Sequence, residues 1–175
     1  MYLKIIGFIF VVLIVSFLQV SFVASLPLYF NGLNLMLVYL LFSLLIYEFE
    51  ITVYLAAGLG LVMDIYSFSF IGSYIACLII GVAMINFLQK NFLTNRSLYS
   101  LLALFSIFYI YFRLYFIVID NVLTTLKKVT PNIIFSNSYF THEASLLLAN
   151  LALVAVAFYI LNLTSKSLKP TFLQR

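Results

Sequence analysis

The stretch AAGLGLVMDIYSFSFIGSYIA, residues 56–76, sets Gly58, Gly60, Asp64 and Gly72 inside an otherwise oily run. A glycine weakens a helix by about 1 kcal/mol relative to alanine, and an ionised side chain at the centre of a bilayer costs about 2.5–3.5 kcal/mol. Both become tolerable where helices touch closely and the charge finds partners. Ala56, Gly60 and Asp64 recur every four residues and share one helical face. Ser69, Ser73, Cys77 and Gly81 form a second stripe, flanked by Gly72, Ala76 and Ala83. Lipid provides no hydrophobic drive between helices, so small residues serve to bring backbones into van der Waals contact. The pattern predicts two helices packed closely, on each other or on a neighbour.

The rest of the chain fixes the solvent those helices meet. Of 175 residues, 66% are hydrophobic and 8% charged, and the mean hydropathy is +1.21. A soluble domain carries about 25% charged residues to face water; this chain has no such surface, so its solvent is the lipid bilayer. The expected fold class is an all-α polytopic membrane protein in a single transmembrane domain, 1–175. The net charge of +4 is scattered along the chain and gives no nucleic-acid-binding face. Cys77 has no cysteine partner, which rules out a disulfide framework and fits a small buried or lipid-facing residue. With no tryptophan, interfacial anchoring falls to the 13 tyrosines. Heavy use of Phe, Tyr, Ile and Asn suggests an AT-rich, bacterial genome.

A hydrocarbon core of about 30 Å takes about 20 helical residues to cross. Apolar runs at about 5–24, 33–47, 51–66, 70–88, 98–119 and 144–163 predict six spans, with an outer loop over 120–143. The first run exceeds the apolar core of a signal peptide and is expected to be retained. Residues 33–66 can be read as one crossing or two. With two, Lys4, Lys90, Arg96, Lys166, Lys169 and Arg175 share a side and only Lys127 and Lys128 face the other. The positive-inside rule then places both termini in the cytoplasm of a bacterial inner membrane.

Catalysis in a membrane requires acids, bases or metal ligands converging on one point. The lone histidine, His142, sits beside Glu143 at the outer mouth of the sixth span, where adjacent side chains diverge along a helix. Glu48 and Glu50 fall in a tight cytoplasmic turn, ending two helices in water or meeting a partner. No catalytic set, phosphate-binding loop or metal-ligand spacing is present; no cofactor and no enzymatic activity are expected. Asp64 and Arg113 fall at similar depths near the outer ends of the third and fifth spans, so an intramembrane Asp64–Arg113 pair is one reading. The other has Arg113 snorkelling outward while Asp64 reaches headgroup water.

The run YLAAGLGLVMDIYSFSFIGSYIACLIIGVAMINFL, residues 54–88, resembles the central segment of the rod shape-determining protein MreD family. That family shows a short helix of the form Gly-Leu-x-x-Asp, a small or polar connector, then Gly and Ala opening the next helix. The matching residues are Gly60, Leu61, Asp64, Ser67, Gly72 and Ala76. The resemblance implies a non-enzymatic subunit of the bacterial elongation machinery. It would bind the single-span protein MreC and link MreB filaments to the glycosyltransferase RodA and a penicillin-binding transpeptidase. Ala56, Gly60, Asp64, Gly72, Ala76 and Gly81 are then the expected interaction or helix-packing residues. A second reading is a small-molecule-binding subunit of an energy-coupling-factor vitamin transporter, whose six-helix fold the MreD fold is expected to resemble. Its docking face would need small residues on the first span, which is instead dominated by Ile, Val, Leu and Phe.

Overall fold

Backbone N–H and C=O groups find no partners in lipid, so a chain this apolar satisfies them within helices. The computed structural model describes residues 2–26, 32–67, 72–93, 97–127 and 137–165. Over those residues the chain forms six α-helices: α1 (Tyr2–Phe17), α2 (Leu35–Ile46), α3 (Phe49–Ser67), α4 (Ser73–Asn91), α5 (Leu98–Lys127) and α6 (Asn137–Ser165). The end of α1 runs on as a π-helical turn, Leu18–Phe22, and a 3-10 turn, Val23–Ser25. The start of α5 is capped by Ser97, whose Oγ accepts the Ser100 N–H at 3.4 Å. At the start of α2 the Asn34 side chain accepts from the Leu37 N–H.

Helix α2 is the hub. It touches α1, α3, α4, α5 and α6, while α3 lies against both α1 and α4, α4 against α5, and α5 against α6. The other five helices therefore form an arc around α2. The arc covers α2 with protein: Met36, Leu37, Leu40 and Leu41 are almost wholly inaccessible. Around them Leu55, Leu59, Leu78, Val82, Ile85, Leu104, Phe105 and Phe108 complete one continuous core. The α3–α4 hairpin is the most intimate pair in this core.

Four of these helices are long and apolar enough to cross a membrane: Phe49–Ser67, Ser73–Asn91, Leu98–Val122 and Tyr139–Leu163. This corrects the expected count of six spans. The first two apolar helices are shorter, Gly7–Ser21 and Leu35–Ile46. The 12 residues of α2 reach about 18 Å at 1.5 Å per residue, short of the hydrocarbon thickness. Protein rather than lipid surrounds it. Helix α5 runs to Lys127 and α6 begins at Asn137, so helix occupies both ends of the stretch expected as an outer loop over 120–143. Residues 128–136, Ser69, Arg96 and the basic residues after 165 lie outside the described residues.

Candidate functional site

The opening stretch folds into the α3–α4 hairpin, and its unusual residues meet there. At Gly60 a Cβ would stand 2.6 Å from the Ile75 Cα and 2.7 Å from the Ile75 N, so the two helix backbones are in direct contact. Gly72 precedes α4 with φ of 96°, a left-handed conformation that side chains disfavour. Lacking a side chain, it cannot cap the helix, and Asp64 does so from across the hairpin. Asp64 Oδ2 accepts the Gly72 N–H at 2.9 Å and the Ile75 N–H at 3.4 Å. Its Oδ1 accepts the Tyr74 N–H at 2.9 Å and the Ser73 Oγ–H at 3.3 Å. The first turn of a helix leaves orphan N–H donors and a partial positive charge; the buried carboxylate answers both. Tyr74, donating to Asp64 through its backbone, lays its ring 4.5 Å from that of Phe116, centroid to centroid, and so ties the cap to α5.

Of the other expected packing residues, Ala56 is fully buried on the same α3 face. Gly81 makes a notch in α4 that admits the Phe108 ring of α5, 2.5 Å from where a Cβ would be. Ala76 is only half-buried. The expected Asp64–Arg113 pair is not formed. Asp64 takes its donors from α4, and Arg113 turns to α6. Its Nε donates to Glu143 Oε2 at 2.8 Å and its Nη2 to Glu143 Oε1, a bidentate salt bridge. The Tyr109 hydroxyl lies 3.5 Å from the same carboxylate. Glu143, placed by the sequence beside His142 at the outer mouth of the sixth span, faces inward on α6, while His142 is exposed. Glu48 and Glu50 are both exposed at the α2–α3 turn.

A second polar cluster went unread in the sequence. Residues 32–34 lead into α2 without regular structure, and two side-chain amides flank this approach and the first helical residue, Leu35. Gln19, in the π-helical turn after α1, donates from Nε2 to the Leu33 carbonyl at 3.0 Å and accepts the Leu35 N–H at 2.8 Å. Asn150, on α6, donates from Nδ2 to the Gly32 carbonyl at 3.0 Å and accepts the Asn34 N–H at 2.7 Å. Each amide thus pairs with a C=O and an N–H two residues apart, as a neighbouring strand would. Asn150 is fully buried near the middle of the apolar span Tyr139–Leu163. Non-helical backbone at that depth is tolerated only where protein satisfies it, and these two amides do so. Gly32 also leaves room for Leu146, whose Cδ atoms lie 2.5 Å from where a Cβ would sit. The available signal was two amides, Gln19 and Asn150, standing alone in apolar spans; nothing in their spacing showed that they converge.

Among the described residues, no three His, Cys, Asp or Glu side chains gather as a metal site. Asp64, the Arg113–Glu143 pair, Gln19 and Asn150 each join one helix or its approach to another. These features define a helical, membrane-embedded protein whose few intramembrane polar residues fasten its helices. Comparison with protein families, curated proteins and solved structures finds no match in any of the three. The expected likeness to energy-coupling-factor binding subunits accordingly has no counterpart among solved structures.

Proposed function

We propose that this chain is a non-enzymatic scaffold subunit of the bacterial cell-elongation complex, similar to MreD. In this role it docks an MreC-like single-span protein and links MreB filaments to RodA and a penicillin-binding transpeptidase. The supporting observation is that Gly60, Asp64 and Gly72, the residues carrying the resemblance, act as one unit. Gly60 brings α3 against α4, Gly72 turns the chain, and Asp64 caps the helix that follows. A rigid hairpin of this kind suits a platform for a partner's helix.

The orientation belongs to the same reading. With α3 to α6 crossing in alternation, the Tyr47–Glu48 turn, the 92–97 link and the residues after Ser165 share one side. Lys90, Arg96, Lys166, Lys169 and Arg175 fall there in the sequence, and the positive-inside rule makes that side cytoplasmic. The C-terminus is then cytoplasmic. The N-terminus joins it, because Val12 of α1 lies against Gly58 of α3 and Gln19 reaches the start of α2, so α1 runs parallel to α3.

The test is gentle affinity purification from the native bacterial membrane followed by native mass spectrometry. Recovery of a single-span coiled-coil protein, with or without a polytopic glycosyltransferase and a transpeptidase, supports the proposal. Recovery with an ATP-driven transporter core, or with a tightly held small organic molecule alone, overturns it.

A further inference from the structure

We propose that the Arg113–Glu143 pair seats the headgroup of one membrane phospholipid, held by its phosphodiester at the seam between α5 and α6. Glu143 takes up Nε, at 2.8 Å, and Nη2 of Arg113, which leaves the Nη1 end of the guanidinium fork unused. The Arg113 side chain is 40% exposed, so that end is open to its surroundings. Those surroundings are poor in water. Glu143 lies about 6 Å inside the outer end of the apolar span Tyr139–Leu163, and Arg113 about 13 Å inside that of Leu98–Val122, at 1.5 Å per residue. An N–H group left without an acceptor there is costly. A phosphodiester oxygen is the acceptor that the bilayer itself supplies, and the planar fork of arginine matches phosphate.

The seam below the pair fits the rest of a lipid. Leu147 and Leu151 follow Glu143 at four-residue steps on one face of α6. Ile110 stands one turn before Arg113 on α5, and all three are at least partly exposed. Acyl chains gain from such an apolar seam, and a free phosphate does not. Charge selects the headgroup. Arg113 and Glu143 cancel, so an anionic lipid would add an unmatched charge where burying one is unfavourable, whereas a zwitterion adds none. The ligand is accordingly a zwitterionic phospholipid such as phosphatidylethanolamine. This inference needs only the membrane-embedded pair, and it holds or fails apart from the scaffold proposal.

The test is native mass spectrometry of the full chain, released from micelles that hold equal amounts of phosphatidylethanolamine and phosphatidylglycerol. One phosphatidylethanolamine should stay bound per chain. The retained fraction should fall several-fold in Arg113→Met with Glu143→Met, which removes the pair without stranding either charge. Arg113→Lys keeps the charge without the two-edged fork and should retain an intermediate fraction. Lys90→Gln, at the far end of α4 and exposed, should retain as much as the unsubstituted chain. Equal retention in both Arg113 variants overturns the proposal, as does an equal loss in Lys90→Gln or a preference for phosphatidylglycerol. Release of the lipid by millimolar inorganic phosphate overturns it too, because free phosphate is then the ligand.

Discussion

Asp64 and Arg113 show how far a single residue's surroundings decide its role. Asp64 caps α4, so Asp64→Asn turns an N–H-bearing amide toward donors that need an acceptor. It should cost about 1–2 kcal/mol of stability, the range of a lost helix cap. Combined with Arg113→Leu, the effect should be additive within about 0.5 kcal/mol, as for residues with no shared partner. The Arg113–Glu143 cycle should instead show a coupling of about 0.6–1.7 kcal/mol. Reversible unfolding in mixed micelles measures all three. At Gly60 even a methyl meets the Ile75 backbone, and Gly60→Ala should destabilise by about 1–3 kcal/mol, as overpacking does. Gly7→Ala, with nothing within 4 Å of the added Cβ, should be neutral or stabilising in the same assay, because alanine is the better helix former. The small-residue face of α3 was legible in the sequence because a spacing of four is a property of one helix. The partners of Asp64 and Arg113 stayed open in the sequence because depth along two spans says nothing of how each is rotated about its axis. Glu143 lies at a depth as suitable as that of Asp64.

Among the elements, α2 is the one whose stability depends most on others. Its approach over residues 32–35 relies on Gln19 and Asn150 for four backbone hydrogen bonds. Gln19→Leu or Asn150→Leu removes two of them in an apolar setting. Each should lower stability by about 2–4 kcal/mol, since every orphaned buried group costs about 1–3 kcal/mol. Denaturant titration in micelles should show a larger loss for either than for Leu148→Ala on the lipid face of α6. The π-helical turn holding Gln19 fits this use, as such turns frequently occur at functional sites. Hydropathy identified α2 as a segment, but not that protein covers it on every side.

For the whole molecule, the proposed alternation of α3 to α6 puts the Glu48 and Phe92 turns on the cytoplasmic side and Asp120 and His142 on the other. In a Cys77→Ala background, single cysteines replacing Glu48 or Phe92 should resist a membrane-impermeant maleimide in intact cells. Cysteines replacing Asp120 or His142 should react. Labelling of all four from outside would break the alternation of α3 to α6, and the reverse pattern would invert the orientation.

The sequence by itself determined the solvent, the all-helical class, the close α3–α4 contact and the approximate ends of most helices. These follow from composition and from periodicity within one segment, where each residue's neighbours are set by the helix it belongs to. Only the tertiary structure decided that α2 is an enclosed hub, that Asp64 serves a helix end, that Arg113 faces Glu143, and that two distant amides line the approach to α2. Each of those depends on the rotation and depth of one helix against another, and in lipid that is settled by a few polar contacts and close-packed small residues.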